Sequence, residues 1–281
     1  MWRCSSGGVK VVFDVDHDGV ADAGEPVFLS VTTGKAMVFF HDLNGDNSFG
    51  LDEFAGLSLG DGFAGIVGTD VKAVATTLTS SDTFTRSTLQ PSNVASLTVK
   101  GSIHEHFLVG GNVSNVSIGS PLRAHDESQS VQSIRTGTAA NGMVAVFGNE
   151  TLTFTFTPVS GADGGDITNV TIAAGTDSIL AGNGNAGGDG GSVSLLKIRQ
   201  PSQNLTIRGG AGGGGGGGAA GDGGSVEKVT VFSGYAGVVE MTGGSGGIVS
   251  GAQNGANGGA VRDIGLTIVS KRLWRAEGIG E

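Results

Sequence analysis

Glycine constrains this chain more than any other residue. It supplies 54 of 281 positions, far above the usual ~7 %, and it does so without the three-residue period or the proline of a collagen. Glycine this dense suits short strands joined by tight or floppy turns. The remaining residues are dominated by Val, Ile, Leu, Thr and Ser, and no long stretch carries a helical apolar period. The chain is expected to be all-β, with short strands joined by glycine turns.

A repeat organises most of it. Apolar residues recur as apolar, two residues, apolar, one residue, apolar at Val94/Leu97/Val99, Val113/Val116/Ile118, Ile167/Val170/Ile172, Val193/Leu196/Ile198, Val226/Val229/Val231 and Val261/Ile264/Leu266. Degenerate copies sit at Val71/Val74 and Val131/Ile134, and Gly-Gly pairs precede many copies. The clearest copies start 26, 33 and 35 residues apart. A second short strand follows about twelve residues into each copy, at Ile179-Leu180, Leu205–Ile207 and Val238–Met241. Two short strands and glycine turns per unit make the rung of a solenoid, in which stacking buries the inward side chains. The fold expected over 69–270 is a right-handed parallel β-helix with long Gly-rich loops. Ala181–Asp189, Gly209–Gly218 and Gly243–Asn257 carry too few side chains for a core and are expected to loop out, mobile, from one side. A hairpin near 141–158 interrupts the ladder, and 271–281 leaves it as a tail or cap.

The first 68 residues read differently. Asp14-Val15-Asp16-His17-Asp18-Gly19-Val20-Ala21-Asp22-Ala23-Gly24-Glu25 has the ligand spacing of an EF-hand calcium loop. Asp14, Asp16 and Asp18 would offer side-chain oxygens, Val20 its carbonyl, Asp22 a ligand direct or through water, and Glu25 both carboxylate oxygens. A second loop follows 28 residues later, with Asp42, Asn44, Asp46, Ser48, Gly50 and Glu53 at the same places and Asn47 at the turn. It holds fewer carboxylates and is expected to bind more weakly. Flanking segments repeat too, Val9–Phe13 and Val38–Phe40 before the loops, Leu29-Ser30-Val31 and Leu57-Ser58-Leu59 after them. Each flank reads as strand, and Pro26 argues against the helices of a true EF-hand. Residues 1–68 are therefore a tandem strand-loop-strand region with Ca2+ as its cofactor.

These loops resemble those of dockerins, thrombospondin type 3 repeats and the calcium-binding repeats of large bacterial surface proteins. Together with the glycine-rich ladder, the resemblance implies an extracellular or cell-surface module, structural or adhesive, stiffened by calcium. It also implies surface polysaccharide or another protein as partner. Two alternatives accompany it, a carbohydrate-active β-helix (lyase or hydrolase) and a dockerin-like docking module.

Charge narrows the partners. The net charge is -10, and acids concentrate before position 71, where metal is the natural counter-charge. A chain this acidic is not expected to bind nucleic acid, and no transmembrane segment is read. The single cysteine, Cys4, precludes an intrachain disulfide. Cys4–Gly8 is similar to a mature lipoprotein start, without the apolar run that lipidation requires. His104-Glu105-His106 places two imidazoles on one strand face, candidates for a transition metal with no identifiable third ligand. Acids on the ladder, among them Glu105, Asp163, Asp166 and Asp177, make no defensible pair, so no enzyme is expected. Asn112, Asn115, Asn149, Asn169 and Asn204 stand in N-x-Ser/Thr and read as turn and strand preference rather than glycosylation.

Overall fold

The computed structural model describes residues 2–5, 9–12, 27–40, 54–68, 71, 74–76, 86–89, 92–101, 103–119, 131–136, 143–147, 150–156, 161–173, 175–199, 204–215, 218–232, 238–249 and 255–266. Both expected calcium loops, 14–25 and 42–53, lie outside the described residues, as do Asn149 and the tail 271–281.

Among the described residues every regular element is a strand. They run β1 Trp2–Ser5, β2 Val9–Val12, β3 Val27–Thr33, β4 Lys35–Phe40, β5 Phe54–Leu59, β6 Phe63–Val67, β7 Val74–Ala75, β8 Arg86–Leu89, β9 Val94–Val99, β10 Ile103–Val109 and β11 Val113–Ile118. Then follow β12 Val131–Thr136, β13 Met143–Phe147, β14 Glu150–Phe156, β15 Ile167–Ile172, β16 Ser178–Leu180, β17 Val193–Ile198, β18 Asn204–Arg208, β19 Val226–Val231, β20 Val238–Thr242, β21 Val261–Arg262 and β22 Gly265–Leu266.

Two sheets take nearly all of them. The first has the order β1-β4-β5-β7-β10-β12-β16-β18-β20, the second β2-β3-β6-β9-β11-β15-β17-β19-β21, with β22 also on β19. From β9 onward, β13 and β14 apart, the chain alternates between sheets, and each strand up to β20 pairs in parallel with the strands beside it in its own sheet. That arrangement is consistent with a β-solenoid. Near the start the pairing is antiparallel, β2 with β3 and β4 with β5, but the sheets continue without a break into the parallel coils. One apolar core runs between them from Phe28 to Val231. Residues 143–156 form an antiparallel pair, β13 with β14, to which β8 adds in parallel as a separate three-stranded sheet.

The odd period of the repeat has a backbone cause. In a plain strand inward residues alternate, yet β11, β15 and β19 bury their first, fourth and sixth side chains. The third residue is left-handed in five of the six copies: Asn115 (φ 53°), Asn169 (54°), Leu195 (54°), Lys228 (53°) and Asp263 (56°); the first copy, in β9, buries the same places without it. That extra step turns the chain so that the fourth residue again faces the core, much as a bulge does. Val74 and Ile134, read from sequence as degenerate copies of this motif, belong to β7 and β12 on the other sheet, where no such step occurs.

The glycine segments correct the expectation of mobile loops. They are packed arms, bonded backbone to backbone. Gly182 donates to Gly165, Gly191 to Gly182, Gly210 to Gly191, Gly224 to Gly210, Gly244 to Gly224 and Gly259 to Gly244, at 2.7–3.1 Å. A second line links Ala162, Asn185, Gly188, Gly213, Gly221, Gly247 and Ala256 at 2.7–3.1 Å. Each arm leaves the first sheet, turns, and returns to the second sheet against its own outgoing half and the coil before. The approach is so close that a Cβ on Gly191, Gly210, Gly224 or Gly244 would overlap a neighbouring carbonyl oxygen. Only glycine fits, for the reason it alone fits the axis of a collagen helix. One coil earlier, the buried hydroxyl of Thr136 takes the end of the first line, donating to Gly165 O and accepting from Gly182 N.

Candidate metal centre

The twelve proposed calcium ligands, Asp14, Asp16, Asp18, Val20, Asp22, Glu25, Asp42, Asn44, Asp46, Ser48, Gly50 and Glu53, all fall outside the described residues. Their anchors do not. Residues 13–26 join β2 to β3, and residues 41–53 join β4 to β5, so each loop closes a hydrogen-bonded antiparallel hairpin. The last described pairs are Val12 with Val27 and Phe40 with Phe54. Immediately before each, the register shifts, between Val11 and Val12 in one hairpin and Phe39 and Phe40 in the other. Those positions are 28 apart, the period of the loops themselves, so the duplication extends to the local kink that aims each loop.

The two hairpins lie on different sheets but open on the same edge. Leu29 near the start of β3 pairs with Val67 at the end of β6, which pairs in turn with Val99 at the end of β9. Loop 13–26 thus leaves where second-sheet strands end. Phe54 starts β5, which runs parallel to β7 and β10, so loop 41–53 leaves where first-sheet strands begin. The short connection from Val99 to Ile103 identifies these as one edge. The glycine arms, between Leu180 and Val193 and in the following coils, occupy the opposite edge.

A loop of twelve ligand places can close such a hairpin, and its donors are the hard oxygens that calcium takes in sixes to eights. The residues present fit the ion. Bound there, calcium would supply charge neutralisation and a cross-link between paired strands. The chain's own part is to hold the loop ends together through the ladder pairs.

The other metal candidates fare differently. His106 lies in β10, half-buried, opposite Ser133 of β12. Burial, and then the neighbouring Arg135 guanidinium, hold its imidazole below the usual histidine range. The neutral ring that results could ligate, but a cation beside it repels a metal ion. Among the described residues no three His, Cys, Asp or Glu side chains come together to hold a metal. His104 shares the strand. The backbone of Cys4 pairs with Ala36 inside the first sheet.

Several acids have positions that sequence reasoning missed. Asp61, Asn93, Asn112, Asp166, Ser192 and Ser225 form a ladder, each side-chain oxygen accepting the backbone N–H one coil on, at Asn93, Asn112, Asp166, Ser192, Ser225 and Ala260, over 2.7–3.2 Å. A second ladder runs from Asp163 to Asp189, Asp222 and Asn257 at 2.7–2.8 Å. The signal was available in Asp163-Gly-Gly-Asp-Ile, Asp189-Gly-Gly-Ser-Val, Asp222-Gly-Gly-Ser-Val and Asn257-Gly-Gly-Ala-Val. The first three repeats carry two capping residues around a glycine pair, and the fourth, with Ala260 at the second place, receives both ladders. Two sequon asparagines also stack between coils, Asn169 Nδ2 donating a hydrogen bond to Asn115 Oδ1 at 2.8 Å.

No protein family, curated protein or solved structure matches this chain. Among the described residues no helix is long and apolar enough to cross a membrane.

Proposed function

We propose that the protein is a non-enzymatic, extracellular calcium-binding module of structural or adhesive role, in which calcium rigidifies the loops at the head of a right-handed β-helix. The observation that carries the reading is the anchoring of both acidic loops. Each spans an antiparallel hairpin, kinked at the equivalent residue, and both open on one edge of the stack. Two D-x-[DN]-x-D loops held in that way suit a permanent clip. Strands on both sides of each loop favour the clip over dockerin-like docking, which works through paired helices. The ladder acids, each with an oxygen on a backbone N–H, serve coil stacking, which favours a scaffold over a polysaccharide lyase or hydrolase. A surface polysaccharide or another protein is the partner such a scaffold would present itself to.

Isothermal titration tests the reading. Calcium uptake at two loops, with a rise in thermal midpoint, is the expected result. No uptake at millimolar calcium overturns it.

A further inference from the structure

We infer that the coil 238–266 is an interface, and that its partner is a second copy of this chain, bound end to end about a two-fold axis. Both sheets finish at this coil, on β20 and β21, and strands with an unpaired backbone edge are templates for pairing. Its inward residues are open although their register partners one coil back are covered. Val261 is 43% exposed and Leu266 38%, against 0% for Val226 and 3% for Val231.

The arm of this coil has unused backbone groups in register with used ones. Three columns of amides point forward along the stack. Ala181 donates to Arg208 O and Gly209 to Thr242 O; Gly184 to Ala211 O and Gly212 to Ser245 O; Gly164, Gly190 and Gly223 to Asp189 O, Asp222 O and Asn257 O, all at 2.7–3.0 Å. The next members, Gly243, Gly246 and Gly258, have no acceptor among the described residues. Gly224 O and Gly221 O accept from Gly244 and Gly247, whereas their successors Gly259 O and Ala256 O accept from no described residue. Gly258 adds a separate sign. A Cβ on Gly164, Gly190 or Gly223 would overlap a carbonyl oxygen of the next arm, but on Gly258 it would meet only Gly244 O among the described residues, at 3.6 Å. Glycine stands there without need from its own coil, and an approaching backbone supplies the need.

The pattern favours a second copy over one more coil of the same sense. Such a coil would continue both side-chain ladders, but Ala260 receives the bond from Ser225 and has no side-chain oxygen to hand on. A two-fold contact asks instead that one face complement itself. Across the arm, Gly243 lies beside Gly259 and Gly246 beside Ala256. A two-fold axis along the arm, midway between its halves, sets the outgoing half of each copy over the returning half of the other. The amides of Gly243 and Gly246 then face the carbonyls of Gly259 and Ala256, twice over, in the antiparallel sense in which Gly210 already bonds to Gly191. Asn257 stands where earlier coils hold Asp163, Asp189 and Asp222, so the contact covers no carboxylate at that place.

Sedimentation equilibrium of the full chain, joined to hydrogen exchange, decides it. A closed dimer is expected, and the amides of Gly243, Gly246 and Gly258 should gain protection as the dimer forms. Gly258→Ala adds a methyl that its own coil accommodates; it should weaken the dimer about tenfold or more, because the change enters the face twice. Leu266→Lys tests the apolar part of the same face and should weaken the dimer likewise. A monomer at every concentration, growth past the dimer, or a dimer that both variants leave intact overturns the inference. Protection of the three amides in a monomer would overturn it too, and would assign the face to the chain's own residues after Leu266.

Discussion

The two edges of this molecule are closed in opposite ways. On the edge that carries residues 13–26 and 41–53, antiparallel hairpins end in segments rich in acidic residues. On the other, parallel coils are joined by glycine arms that bond to each other with no side chain between them. One edge concentrates charge in its loops, and the other closes mainly on backbone, with Asp163, Asp189 and Asp222 as its side-chain caps. The difference teaches where stability can come from when a coil has no more core to bury. The head uses large inward residues such as Phe28 and Phe63, with calcium as its proposed staple. The glycine coils use small strands, with backbone bonds as the staple.

The sharpest way to break this comparison is to put a side chain into the arms. Gly210→Val is expected to destabilise by about 3 kcal/mol, from overpacking and lost backbone bonds, in urea unfolding. Gly218→Ala, which meets nothing within 4 Å, should stay within ~0.5 kcal/mol of the parent. Equal stability in the two variants would return the arms to mobile loops.

Chelation addresses the other edge. With free calcium at 100 times the dissociation constant, linkage contributes about 2.7 kcal/mol, so chelator should lower the thermal midpoint. Hydrogen exchange should then show deprotection across 27–40, while amides of Gly191, Gly210 and Gly224 keep their protection. Asp14→Ala with Glu25→Ala should mimic the chelator at the first loop.

A smaller effect separates backbone shape from packing. Leu195 is left-handed at φ 54° and exposed, a conformation that disfavours leucine by roughly 1–2 kcal/mol. Leu195→Asn should stabilise by about 1 kcal/mol, extending the column of Asn115 and Asn169; a loss of stability would show that the exposed leucine is held by contacts.

The smallest concerns His106. Its imidazole is depressed in the fold by burial and Arg135, so in acid the unfolded chain takes up the proton first. Stability from this residue is therefore intact above an ordinary value of about 6.5 and declines as pH falls from there through the folded value. His106→Gln should flatten that part of the urea midpoint against pH.

The strand ladder could be read directly because its inward residues are apolar and recur on a fixed motif. The left-handed third place could be half read: Asn115, Asn169 and Asp263 suit it, whereas Leu195 and Lys228 hide it. The arms could not be read from composition, since glycine carries no side chain to distinguish packed backbone from slack. What marks them is the Asp before the glycine pair, at Asp163, Asp189 and Asp222, whose acceptor role depends on a coil 26 to 35 residues away. The calcium loops show the converse. Ligand spacing is local and plain, but the edge on which they open follows from pairings such as Leu29 with Val67, which no local motif encodes.

The arms also bear on how the molecule meets a protease. Between Arg208 and Lys228 the chain holds no lysine, arginine or aromatic residue. A protease that selects its cleavage site by a basic or large apolar side chain finds nothing to grip there, even in an arm that has come loose. The part of the fold with the least side-chain chemistry is for that reason the part hardest to digest.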